Sequence, residues 1–104
     1  MNWITPSSLP EQPRRLPRQI VEEHRFVHEW GALFSAEQRA DEALDGLKSV
    51  LETLAEYGMA VPGLRVEIYG WPVRVGMSTY RVFYRFTDEQ IFLLGVGPAI
   101  TGMY

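Results

Sequence analysis

The stretch from Trp71 to Pro98, WPVRVGMSTYRVFYRFTDEQIFLLGVGP, constrains what this chain can fold into more than any other. Successive side chains of a strand point to opposite faces, so a period of two is a strand signal. In TYRVFYRF, Tyr80, Val82, Tyr84 and Phe86 share one face, and Arg81, Phe83 and Arg85 share the other. Thr87-Asp88-Glu89-Gln90 then has the composition and length of a hairpin turn. IFLLGV is apolar on both faces and predicts a central strand. Upstream, Val73 and Val75 mark a further strand. LRVEIY alternates Leu64, Val66 and Ile68 with Arg65, Glu67 and Tyr69, a strand with one dry face that Gly70 breaks.

The first half of the chain changes period. From Pro17, a residue suited to a first helical turn, Ile20, Val27, Trp30 and Phe34 recur at helical spacing, with Glu22, Glu23, Arg25 and Glu29 on the wet side. A second helix starts at a capping box, Ser35 with Gln38, in which hydroxyl and amide satisfy backbone donors. Ala40, Ala43, Leu44, Leu47, Val50, Leu51, Leu54 and Ala55 form its apolar face, and Gly58 is the expected left-handed terminator. A turn at Val61-Pro62-Gly63 leads into the strands. Helices followed by adjacent strands make an α+β fold: a helix pair packed on a small curled antiparallel sheet. Residues 1–16, rich in proline, read as an arm with a short strand at Asn2 to Thr5, and residues 17–104 as a single domain.

Bulk properties exclude several classes. An apolar fraction of 46% argues against disorder, and the absence of cysteine removes disulfides and thiolate metal sites. No apolar stretch reaches the roughly 18 residues of a membrane helix, so a cytoplasmic protein without a membrane partner is expected. From Ala36 to Gly58, Glu37, Asp41, Glu42, Asp45, Glu52 and Glu56 outnumber Arg39 and Lys48. From Val61 onward, Arg65, Arg74, Arg81 and Arg85 outnumber Glu67, Asp88 and Glu89. A net charge of -3 does not suit general nucleic-acid binding, which rests on phosphate neutralisation, so any such contact has to be local.

A helix pair, a Pro-Gly turn, then WPVRV and TYRVFYRFTDEQIFLLGVG together resemble the RelE/ParE superfamily of bacterial toxin components. The most specific piece is Tyr80-Arg81-Val82-Phe83-Tyr84, an acidic turn, and an apolar strand ending in Val96-Gly97. The resemblance covers about residues 36 to 104. It implies the toxin half of a type II toxin–antitoxin pair, held by a cognate antitoxin that covers the sheet. It further implies inhibition of growth through ribosomal mRNA cleavage or gyrase, and no metal or organic cofactor. In the RNA-cleaving branch the resemblance assigns catalytic positions to Arg81, Arg74 and Tyr104. Arg81 would stabilise phosphate charge, Arg74 would assist, and Tyr104 would move a proton.

The chain departs from that branch at Pro72, where a second basic residue is usual, and at Pro98 to Thr101, which carries no cation. Its pI of about 5.3 departs too. The alternative is therefore a non-catalytic protein-interaction module on a degenerate RelE/ParE-like fold, with Arg85, Phe83 and Trp71 as partner-binding residues. Tryptophan is enriched in binding hot spots, and arginine beside aromatics can equally be a stacked, solvated sheet face. His24 and His28 stand one helical turn apart, a spacing that can hold a metal only with a third ligand from elsewhere.

Overall fold

Tyr80, Val82, Tyr84 and Phe86 do share the inner face of one strand, and the rest of the fold is arranged around it. The computed structural model describes residues 16–35, 38–64 and 66–98. Among them are strands β1 (Gln19–Glu22), β2 (Met59–Ala60), β3 (Tyr69–Val75), β4 (Ser78–Phe86) and β5 (Gln90–Pro98). Helices α1 (His24–Phe34) and α2 (Gln38–Leu54) complete an α+β fold, with a 3-10 turn at Ala55–Tyr57 after α2. The sheet order is β1-β5-β4-β3-β2.

The hairpins follow their local chemistry. β3 and β4 are joined by Gly76 and Met77, and Gly76 takes φ +63°, as a two-residue loop with glycine first requires. The β4–β5 turn closes through the Thr87 N–H donating to the Gln90 carbonyl at 2.8 Å. The Thr87 hydroxyl oxygen accepts from the N–H groups of Glu89 and Gln90. β5 is central, as its two-sided apolarity predicts, between β4 and β1.

Phe26, Trp30 and Phe34 of α1 and Ala40, Leu44, Leu47 and Leu51 of α2 bury against Val73, Val75, Val82, Tyr84, Ile91, Leu93 and Val96. The three α1 aromatics form a contiguous row that ends edge-on against Tyr80.

Five expectations are corrected. The helix does not begin at Pro17: Gln19–Glu22 is strand β1, paired in parallel with Gln90–Leu93, so the sheet is mixed rather than antiparallel. The β-branched pair Ile20-Val21 is used by the otherwise bare edge of β5, and tertiary pairing outweighs the helical spacing. Helix α1 consequently buries Phe26, Trp30 and Phe34, while Val27 stays 51% exposed. In LRVEIY, the described residues Leu64 and Val66 to Ile68 are not strand, and Tyr69 is the first residue of β3. Val61 N–H donates to the Ile68 carbonyl, and Leu64 is 49% and Val66 58% exposed. Gly70 does not end a strand but lies within β3.

Gly58, finally, is not left-handed but extended, at φ -69° and ψ 168°. The glycine is required by a neighbour instead, because a Cβ there would lie 1.9 Å from the Tyr84 hydroxyl oxygen. The proposed Ser35–Gln38 cap, the arm with its strand at Asn2 to Thr5, and Tyr104 lie outside the described residues or side chains.

Candidate functional site

Of the described strand residues singled out from the sequence, all but Trp71 lie on the face of the sheet opposite the helices. Arg74 of β3 and Arg81, Phe83 and Arg85 of β4 point away from the core, as the alternation of buried and open positions requires. Pairing of Pro72 with Arg81 and of Arg74 with Thr79 makes Arg74 and Arg81 diagonal neighbours across β3 and β4. The Arg81 stem lies over Gly70, whose absent Cβ would sit 2.7 Å from the arginine Cδ. The Arg85 guanidinium stacks 4.5 Å from the Phe92 ring centroid. Trp71 is the exception: it stands on the helix side, half-buried against the core.

A groove of about 560 Å³ opens on this outer face. Its floor is Phe83 of β4 together with Leu94, Gly95 and Gly97 of β5. The floor is irregular because the β4–β5 register slips between Phe83 and Tyr84: Tyr84 pairs with Leu93 and Phe83 with Gly95, leaving Leu94 as an extra residue. One wall is the loop before β3, through Val61, Leu64 and Ile68. The turn at Pro62 and Gly63, with Gly63 at φ +83°, brings that loop back over the sheet.

The other wall is α1, and its polar chemistry repairs an edge. β1 pairs with β5 only through Leu93, so the outer edge of β5 beyond that point faces α1 rather than a strand. Glu29 reaches across it, Oε1 accepting the Val96 N–H at 2.9 Å and Oε2 accepting from Arg25 Nε at 2.9 Å. Burial pushes the Glu29 carboxyl up, but the Val96 N–H, the Arg25 hydrogen bond and the charges of Arg25 and His28 outweigh it, so its pKa falls below the ordinary glutamate value. Gly95 is needed there, since a Cβ would come within 2.8 Å of Glu29 Oε1. A Cβ at Gly97 would meet nothing within 4 Å.

Charge is sorted by face. No aspartate or glutamate projects from the outer face of the sheet among the described residues, whereas Arg74, Arg81 and Arg85 do. None of the three forms an ion pair with a described acid. His24 and His28 are exposed on α1, and no group of three metal-ligating side chains gathers among the described residues. No described helix is long and apolar enough to cross a membrane.

Sequence reading missed most of the groove. Phe83 is the one singled-out residue that lines it. The loop wall was hidden because its alternation mimics a strand, and Glu29 because a wet-side helical glutamate carries no signal of what it caps. The double-sided apolarity of IFLLGV, with glycine at 95 and 97, was the available hint.

The geometry defines a small α+β protein with an arginine-bearing sheet face that no described element covers and an apolar groove at its centre. No protein-family model matches the chain, and no curated protein matches it significantly.

Proposed function

We propose that this chain is a protein-interaction module that receives a polypeptide segment on the outer face of its sheet. The observation that carries this reading is the groove of about 560 Å³, with an aliphatic wall at Val61, Leu64 and Ile68, an apolar floor at Phe83 and Leu94, and polar groups at Arg25 and Glu29 on the opposite wall. Apolar pockets with a few polar groups at their margins are the usual form of a binding site. The open sheet face, the helix pair behind it and the Tyr80-to-Gly97 segment are what a degenerate RelE/ParE-like fold supplies for such a role.

The test is selection of a random-peptide library against the full chain, followed by NMR mapping of each recovered peptide. Shifts centred on Val61, Ile68, Phe83, Leu94 and Gly97 are expected. Peptides that map instead to the exposed face of α2, or a library that yields no binder, would overturn the reading.

A second reading is the toxin of a type II toxin–antitoxin pair. It is favoured by one observation, the diagonal placement of Arg74 and Arg81 on a single open face. Tightly induced expression in bacteria tests it. Growth arrest that Arg81→Ala and Arg74→Ala relieve supports a toxin acting through this face, and mRNA cleavage mapping then separates a nuclease from a gyrase poison. Normal growth at confirmed soluble expression removes that reading and leaves the interaction module.

A further inference from the structure

We infer that the segment received by this face is acidic as well as apolar, with an apolar side chain seated on Phe83 and Leu94 and carboxylates reaching Arg81 on one flank and Arg85 on the other. The inference deepens the interaction-module reading and rests on it. Phe83 forms part of the groove floor, and Arg81 and Arg85 stand two residues to either side of it along β4. At about 3.3 Å of rise per residue the two arginines are roughly 13 Å apart. An extended peptide with acids flanking an apolar residue can span that distance.

Charge complementarity selects the occupant. The strands of the outer face offer Arg74, Arg81 and Arg85 and no described acid, and the one carboxylate that lines the groove, Glu29, is already engaged by the Val96 N–H and by Arg25. The Arg85 guanidinium stacks on Phe92, and the Arg81 stem rests on Gly70, so both side chains are anchored along the sheet. A planar guanidinium held in this way presents paired donors to a carboxylate.

RNA would also answer to arginine, but it needs a track of phosphate contacts and aromatic platforms for its bases. Here the surface between the arginines is a groove with one aliphatic wall, a polar wall at Arg25 and Glu29, and one aromatic ring in its lining, Phe83. The aliphatic wall and floor fit Leu, Ile or Val side chains better than stacked bases.

The same library selection decides the question when run on the wild type, Arg81→Ala, Arg85→Ala and Gly97→Phe. Gly97 is chosen because it lines the groove and a Cβ there meets nothing within 4 Å. Gly97→Phe thus puts a ring into the groove from a position with room for its Cβ, and an unchanged circular dichroism melt shows that the fold is intact. The expected result is a recovered set enriched in Asp and Glu on both sides of an apolar residue. Gly97→Phe should abolish its binding, Arg81→Ala or Arg85→Ala should weaken it about tenfold each, and added salt should weaken it further.

Peptides that bind in the groove and are lost with Gly97→Phe, but show no acidic enrichment and no response to the arginine substitutions, overturn this inference and leave the module reading standing. Binding of oligouridylate that depends on Arg74 and Arg81, with no peptide held by the groove, overturns both. If Gly97→Phe lowers the melt, Leu94→Glu replaces it as the groove variant, with the same two outcomes.

Discussion

Single residues hold this fold together at three points where polar and apolar chemistry meet. Arg18 is only 4% exposed. It donates from Nε to the Thr87 carbonyl at 2.7 Å, pairs with Glu56 at 3.1 Å and lies 4.9 Å from the centre of the Phe86 ring. Arg18→Ala strips the Thr87 carbonyl and the Phe86 ring at once, and a loss of about 2–3 kcal/mol is expected in urea denaturation. A loss near zero would show that the contact is incidental. Tyr84 is the second point: its hydroxyl donates to the Ala55 carbonyl at 2.6 Å. Burial holds its phenol above the ordinary tyrosine range, with Tyr69 and Glu56 adding to the effect. The folded state therefore keeps that proton longer than the unfolded chain, and stability should decline as pH rises above about 10. Tyr84→Phe should flatten that decline. Glu29 is the third, and its sign is opposite: with its pKa lowered in the fold, its contribution is present above about pH 4.3 and is lost as acid protonates it. Glu29→Gln should reduce the acid sensitivity of the melt. An unaltered profile would show that the carboxylate is not what caps Val96.

At the scale of elements, the pairing explains which parts of the sequence are legible and which are not. β4 and α2 are legible because local period and burial agree. Arg81 and Arg85 alternate with Val82 and Tyr84, and Leu44, Leu47 and Leu51 recur on one helical face. β1 is illegible because four residues carry too little period of their own, and they become a strand by pairing with β5. LRVEIY misleads in the other direction. It alternates as a strand does, yet its neighbour β2 is two residues long and meets only Tyr69 and Gly70, so nothing extends the ladder upstream. The groove was illegible for the same reason, since one wall is that misread loop and the other is Glu29. Amide exchange should follow this architecture. The N–H groups of β4 and β5 are expected to exchange slowest, β1 more slowly than an exposed helix start would allow, and Val66 and Glu67 fastest. Rapid exchange at Ile20 and Val21 would restore the helical reading of that segment.

The whole molecule is polarised: helices and most acids lie on one side, and an apolar groove among arginines on the other. The outer edge of β3 belongs to neither side. β2 meets it only at Tyr69 and Gly70, and from Trp71 to Val75 no described strand pairs with it. Such an edge offers a ladder to any passing chain. At its middle stands Pro72, which has no N–H to donate. Proline at that position thus has a consequence for association. Molecules that meet edge to edge find the template interrupted, and a nucleus for fibril growth gains no second layer. Pro72→Val should leave the monomer's circular dichroism unchanged while light scattering rises with concentration and time. A sheet that leaves an edge strand unpaired has to refuse its own copies, and that refusal is written in a single imino acid.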